Sequence, residues 1–589
     1  MTGPATETPT PDSTRRTLWI ASMAASAATA GLLWTTTGGW LPFVTWLASI
    51  GCAVAVIGSL RTGPRLNRSD RGLLVALVVL AGGFRLWRIM TVPNGLWIDE
   101  LATAVNAAHL AHAPFSPFGS TPLFADGPQW VHTSNLYLYA CLILLKLTGF
   151  SQLGVKSLSV LPGIAAPPLL FLLARRFLPR PAALAAAGLL AVSSWHVTVS
   201  RWGWDEVLVT SLAIALFAKL LDGTDRGSAA GLYLAGALAG VAQYTYVAAR
   251  LTALAAVGFI AVRVVTKGGR PLARRSALFL AGLIQVVLPL LVRSTQVPQY
   301  LDVRAAEVSI LPRLRHGDLG PLVDNLGAYS GMFHFRGDPN PRQNLPGKPM
   351  LDPLVGVLFA AGLLIAVFHL RWPEMQLCLC WLGFGLLGGI LSVSSATPNS
   401  YRVGQVEPAC LLLAAVAIGS AIKWMEPRFR TGAHLGWWLA LAPVVLSAIL
   451  TGVDYFSVRP TSKECWEGLE DGAYAEVLRQ RTGLVRAAGG SVILDPALRT
   501  PAAALLFDGL LPAREGRPVA RWLAADHLSV IDLRHSVAFI PVHAWRRLPP
   551  ALRVLPAVGL TDPFNRTFAV ASSADHRLLS AIRAAGRDS

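Results

Sequence analysis

Charge is scarce in this chain. Of 589 residues only 14% are charged, and 33 Asp and Glu stand against 51 Lys and Arg. So few charges cannot cover a protein that is 53% hydrophobic, which excludes an ordinary soluble enzyme with one buried core. Cysteine is equally sparse. Five of the six (Cys52, Cys141, Cys378, Cys380 and Cys410) lie inside apolar segments, so no disulfide framework is available. No internal repeat of fixed short period is present. His109 and His112 have helical spacing but no third ligand set by the sequence, and Gly268-Gly-Arg-Pro lacks the strand-then-helix context of a phosphate-binding loop. The net charge of +18 flanks apolar runs, so it reads as membrane orientation rather than as a nucleic-acid partner.

What is present is a series of apolar runs near the length of about 20 residues that a bilayer requires. Fourteen are marked, near 17–36, 40–60, 72–91, 133–149, 155–174, 181–199, 207–221, 229–246, 248–262, 276–293, 353–370, 375–393, 406–424 and 434–452. Basic clusters at Arg61/Arg65/Arg68/Arg71, Arg175/Arg176/Arg180, Arg263/Lys267/Arg270/Arg274/Arg275 and Lys423/Arg428/Arg430 place those loops in the cytoplasm. Residues 92–132, 200–206, 294–352, 394–405 and everything after Val453 then face outward. A cytoplasmic start and an external end need an odd number of crossings, so one segment is expected not to cross: 133–149 is the first choice, and the short pair at 229–262 is the other place where the spans could be drawn differently. The fold class expected is a mainly α, polytopic membrane protein of about 13 transmembrane helices with a small C-terminal α/β extracytoplasmic domain. Its parts are a disordered cytoplasmic tail (1–16), two extra N-terminal membrane helices (17–71), a transmembrane catalytic part (72–453) and the α/β part (454–589), where Ser491–Asp495 and Val537–Pro541 read as strands.

Candidate chemistry gathers on the outer face. Asp99 and Glu100, in Pro93-Asn-Gly-Leu-Trp-Ile-Asp-Glu100, are adjacent carboxylates beside a bilayer, and such groups are costly unless used. The plainer alternative is that they cap the next helix. A second pair, Asp205 and Glu206, closes Ser200-Arg-Trp-Gly-Trp-Asp-Glu206, where Trp202 and Trp204 read as an interfacial belt. Arg201, Arg250, Arg402 (after Tyr401), and His334, Arg336, Asp338, Arg342 and Lys348 of loop 294–352 share that face. Cations outside violate the usual bias, and either a bound phosphate or lipid headgroups account for them.

The order of these motifs resembles bacterial GT-C glycosyltransferases, and more closely the dolichyl-phosphate-mannose protein mannosyltransferase-like group related to the lipid A aminoarabinose transferases. The features that carry the resemblance are an Asp-Glu pair after one span, Tyr-x-Tyr at 137–139, Ser-Arg-x-Gly-x-Asp-Glu, Tyr-Thr-Tyr at 244–246 and Gly-Asp-Pro-Asn-Pro-Arg, over roughly residues 72–456. The resemblance implies transfer of a sugar from a polyprenyl-phosphate carrier to a protein, lipid or glycan acceptor outside the membrane. Asp99 corresponds to the catalytic base and Glu100 to the adjoining acid. Arg402 is the first choice for the carrier's phosphate, followed by Arg201, Lys348, Arg250 and Tyr401. Membrane lipids are the other expected partner. No metal site is read, and nothing demands a cofactor, although a divalent cation stays open. The competing reading is a transporter or flippase of lipid-linked sugars, which would place charges at the midplane rather than at span ends.

Overall fold

The computed structural model describes residues 12–35, 39–57, 66–122, 132–149, 151–297, 307–393, 397–426, 428, 432–510 and 519–585. Residues 1–11 of the expected tail, and Arg61, Arg65 and Arg430 of the basic clusters, lie outside that set. The first helix, Asp12–Thr35, starts inside the stretch expected as tail.

The protein is a polytopic membrane protein. Among the described residues eight helices are long and apolar enough to cross: 16–35, 152–174, 206–225, 249–267, 269–296, 373–390, 401–425 and 434–461. The bent pair Arg180–Val192 and Ser194–Ser200 makes a ninth if it counts as one span. The expected 13 are not reached by length alone, because several of the apolar helices are short. Trp40–Ile57, Ala229–Ala242 and Pro353–Phe368 have 18, 14 and 16 residues. Arg68–Leu86 carries Arg68, Asp70, Arg71 and Arg85 within 19 residues. Asn135–Leu147 has 13 residues, about 20 Å of helix, well short of the roughly 30 Å hydrocarbon core.

Packing follows side-chain size. Of the membrane-length helices the one at 401–425 is the most buried, enclosed on all sides. The Ala-rich helix Arg180–Val192 packs beside it with Ala182, Ala183, Ala185, Ala186 and Ala187 all buried. Ala229–Ala242 crosses Ala277–Gln296 at two facing glycines. A methyl group on Gly236 would overlap the Phe279 carbonyl, and one on Gly282 would overlap the Tyr233 carbonyl. Small residues allow such close backbone approach in lipid, where no hydrophobic force drives helices together. The N-terminal helix pair docks on the same helix: Ser22 donates to Ser49 O (2.8 Å), Gln285 to Ser22 Oγ (2.9 Å) and Trp46 to Val286 O (3.2 Å).

The segment expected as one span at 181–199 is broken, with a 52° bend at Ser193. A break inside a bilayer frees carbonyls that must find donors. Arg85, fully buried, donates to Ala191 O (2.7 Å) and Leu190 O (3.3 Å) and lies 2.6 Å from His196 Nδ1.

After the membrane part the chain forms a five-stranded mixed sheet in the order β4-β3-β5-β7-β6: β3 (Ser491–Leu494), β4 (Arg521–Trp522), β5 (Ser536–Pro541), β6 (Ala557–Thr561) and β7 (Thr567–Ser572). β3 is parallel to β4 and β5, while β7 runs antiparallel to β5 and β6. An earlier pair, β1 (Ser120–Pro122) and β2 (His132–Ser134), is antiparallel. The boundary expected at 453/454 falls within a helix that continues to Thr461 through a wider turn at Asp454–Val458. The apolar run ends at Val453, but Arg459 keeps the helix going by burying its guanidinium against Thr198 Oγ1 (3.0 Å) and the Arg342 carbonyl.

Replacing Gly236 or Gly282 by Ala should cost about 1–3 kcal/mol by overpacking the crossing, read as a lower Tm in detergent, whereas Gly83→Ala, which lies inside a helix and meets nothing, should hold or raise Tm. Equal Tm values for all three would show that the crossing is not close.

Candidate functional site

The site is assembled from four loops held together by buried charges. Glu100, 2% exposed in the first turn of Ile98–Leu110, accepts from Trp97 N (2.9 Å) and from Gly203 N (2.6 Å). It thereby joins the loop before its own helix to loop 200–206. Burial raises its pKa, opposed by Lys156 and by these two N–H groups. Asp338, fully buried, accepts from Asn340 N (2.8 Å), Ser400 N (2.6 Å) and Ser400 Oγ (2.7 Å), so the 332–350 loop is tied to the turn before Tyr401. Its pKa is likewise raised by burial and held back by those donors.

Glu206 packs against the 3-10 turn Tyr401–Val406: a methyl group on Gly404 would overlap its carboxylate and force that side chain to shift. Gln405 of that turn donates to Ala248 O (3.1 Å) and accepts from Thr252. This brings Tyr401 beside Tyr246, with ring centroids 5.0 Å apart, and against Trp202 (6.4 Å) and Trp204 (6.3 Å). The Tyr401 hydroxyl donates to Asp205 Oδ1 (3.3 Å). Burial pushes the Asp205 carboxyl up to about 7, with the Tyr401 hydrogen bond opposing.

Asp99 is half-buried next to Glu100. Two residues before it, Trp97 packs on Trp204 at 5.6 Å, and the Arg342 guanidinium lies 3.6 Å over the Trp97 ring. Asp99 and Arg342 attract one another across this stack, and Glu470 Oε1 stands 3.5 Å from Arg342 Nη1. Burial lowers the Arg342 pKa, while Glu470 and Asp99 raise it. One surface therefore presents two carboxyl groups, Asp99 and Asp205, a cation at Arg342 and a wall of aromatic rings.

Residues 133–292 match the family model described as dolichyl-phosphate-mannose-protein mannosyltransferase. The match covers the Tyr-x-Tyr helix, the second acidic pair and Tyr-Thr-Tyr. Solved structures are similar at a distance. The Archaeoglobus fulgidus oligosaccharyltransferase has 12% identity over 77% of this chain, which spans 64% of that protein (TM-score 0.44). ArnT from Cupriavidus metallidurans, bound to undecaprenyl phosphate, has 13% identity over 87% of this chain and 98% of its own (TM-score 0.43). The S. cerevisiae protein O-mannosyltransferase Pmt1-Pmt2 complex, bound to the sugar donor, has 18% identity over 43% of this chain and 37% of its own (TM-score 0.32). No curated protein matches.

Several residues expected in the site serve elsewhere. Arg201 is fully buried and commits all five N–H groups to carbonyls: Nε to Val92, Nη1 to Phe84 and Arg85, Nη2 to Trp87 and Val92, at 2.6–3.2 Å. None remains for a phosphate, so that role is withdrawn. Lys348 pairs with Asp454, and His334 Nε2 donates to Gly356 O (3.0 Å) beside Phe359 (5.9 Å). Glu100, Glu206 and Asp338 position loops. Arg402 follows Tyr401 and commits one terminal nitrogen to Val393 O (2.7 Å). Arg250 is half-buried at the start of Ala249–Arg263, four residues after Tyr246. Trp202, 4% exposed, and Trp204 face the site, not a lipid belt. Among the described residues no group of three or more His, Cys, Asp or Glu is placed to hold a metal.

Roles that sequence reasoning missed belong to Trp97, Tyr137 and Tyr246. The Tyr-x-Tyr and Tyr-Thr-Tyr patterns were their signal. Trp97 had none, because its place follows from the Glu100 bond to the opposite loop.

Arg201→Lys should lower stability by more than about 3 kcal/mol, since most of five charge-assisted bonds vanish, while the molecules that fold keep their donor KM. A raised donor KM at unchanged Tm would restore the phosphate role. Asp205 has its folded-state pKa raised, so the native state binds this proton more tightly than the unfolded chain, and the stability it confers is lost as pH rises from about 4 through about 7. Asp205→Asn should flatten the upper part of that fall in Tm measured from pH 4 to 8; an unchanged slope would mean another group causes it.

Proposed function

We propose that the protein is an integral-membrane glycosyltransferase that moves a sugar from a polyprenyl-phosphate-linked donor to an acceptor at the extracytoplasmic face, with Asp99 as general base. The observation that carries this reading is the pairing of half-buried Asp99 with Arg342 across Trp97, on a short helix that ends far below bilayer length. A lipid-borne phosphosugar needs such a place, since its tail stays in the membrane while its headgroup reaches the loops.

The chemistry is a single displacement. An acceptor hydroxyl oxygen attacks the anomeric carbon as the bond from that carbon to the phosphate oxygen breaks. The electron pair stays on the phosphate, and the hydroxyl proton passes to the Asp99 carboxylate. A positioned base is worth about 10²–10⁴-fold. The charge growing on the phosphate calls for fixed cations, which Arg342 and Arg402 supply. Attack opposite the leaving group inverts the anomeric centre. The match at 133–292 and the clustering of charge at helix ends rather than at the midplane support an enzyme over a transporter.

Asp205 is the second candidate base, favoured by a pKa of about 7, close to the pH at which general bases work best. Asp99→Asn should lower transfer by at least about 100-fold while donor binding and Tm hold, and Asp205→Asn should retain most of it. The reverse order would move the base to Asp205. Movement of a labelled polyprenyl phosphosugar between leaflets of reconstituted vesicles, with no acceptor present and no transfer under any condition, would replace the enzyme reading with transport.

A further inference from the structure

Three polar atoms around the acidic pairs are buried and bonded to nothing: Trp97 Nε1, Trp204 Nε1 and the Tyr137 hydroxyl. A buried donor without an acceptor costs about 1–3 kcal/mol and calls for an explanation. These three belong to one cluster. Trp97 and Trp204 are 5.6 Å apart, tilted by 45°. Tyr137, 6% exposed, is within electrostatic reach of Asp205, Glu100 and Tyr401. Tyr401 in turn touches Trp204 and bonds Asp205. Each donor sits at the edge of an aromatic ring; the Trp97 and Trp204 rings form the wall beside Asp99, and Tyr137 stands near Glu100 and Asp205.

The chemistry that suits such a wall is specific. Indole and phenol rings present flat apolar faces, while their N–H and O–H groups point out of the edge. A pyranose or furanose ring has the complementary form, with C–H groups on its faces and hydroxyl oxygens around its rim. A lipid tail would satisfy the faces and leave the donors orphaned. A phosphate would be met by cations, and Arg342 is already stacked on Trp97 for that purpose.

We propose that Trp97, Trp204 and Tyr137 form the subsite for the glycosyl group of the donor, the two indole N–H groups and the Tyr137 hydroxyl donating to its ring hydroxyls. This rests on the glycosyltransferase reading above and adds to it the residues that choose among sugars. Tyr137 donates to one hydroxyl, so it confers discrimination at that position of the ring. Losing either partner of the bond forfeits the same interaction.

The test is a cycle between protein and donor. Polyprenyl phosphates of mannose, glucose and arabinose are first assayed for binding and transfer with the full-length protein in detergent, and for the best of them each monodeoxy donor is made. The wild type should lose at least tenfold in kcat/KM with one monodeoxy donor. Tyr137→Phe should lose a similar factor with the complete donor and nothing more with that deoxy donor. Trp204→Phe, which keeps a ring but removes the N–H, should behave likewise at a different hydroxyl. Tyr137→Phe removes only an unbonded oxygen, so its Tm should match or exceed the wild type, which separates recognition from folding. Losses that multiply independently, or a wild type indifferent to every monodeoxy donor, would overturn the subsite. If transfer is abolished by Asp99→Asn yet untouched by Tyr137→Phe, only the subsite fails; if none of the three phosphosugars binds, the subsite and the reading beneath it fail together.

Discussion

Arg201 shapes the surface on which everything else stands. A guanidinium with five donors meets the carbonyls of Phe84, Arg85, Trp87 and Val92, the last accepting twice, and the Tyr455 and Phe456 rings close over it at 5.3 and 5.0 Å. The chain leaving the helix Arg68–Leu86 cannot carry its carbonyls unpaired at the edge of a bilayer. Arg201 satisfies them and fixes the path that leads from Val92 to Asp99. Its neighbours in the same loop then take up separate tasks: Gly203 binds Glu100, Trp204 meets Trp97, Asp205 receives Tyr401 and Glu206 packs against Gly404. Five of six consecutive residues thus tie the loop before Asp99 to the turn at Tyr401.

The same economy governs the acids. Glu100, Glu206 and Asp338 are each almost wholly buried, and their carboxylates engage loop backbones or crowd against them. Their partners Asp99 and Asp205 are left half-buried on the working face. In each adjacent pair one carboxyl holds the architecture and the other faces the aromatic wall, because successive residues at a helix start point about 100° apart.

The sequence made the membrane character legible, since apolar runs and their basic flanks need no tertiary context. It also exposed both acidic pairs, because adjacent carboxylates beside an apolar run stand out. It could not assign roles within the pairs. Which carboxyl turns inward depends on Gly203 and Gly404, more than 100 residues away in the first case and nearly 200 in the second. The cations were misjudged for a related reason: a positive residue outside the membrane suggests a phosphate, yet Arg201 found carbonyls and Lys348 found Asp454. Span counting suffered because glycine- and alanine-rich helices such as Ala229–Ala242 are short, and because the break at Ser193 relies on Arg85, about 100 residues upstream.

The C-terminal part is no appendage. Leu96, Leu101, Ala104 and Val105 of the acid-bearing segment share one core with Ala475, Leu478, Leu506, Phe507 and the strand residues Val492, Leu494, Val537 and Phe539. The helix from His434 runs on into this part, and Gly95 and Gly472 allow the later helix Asp471–Ala487 to lie directly against the backbone before Trp97. A chain cut after its last membrane helix would therefore uncover a greasy floor beneath Asp99. The sheet and the segment that carries the acid therefore share one core, and a change in the packing of either is felt by the other.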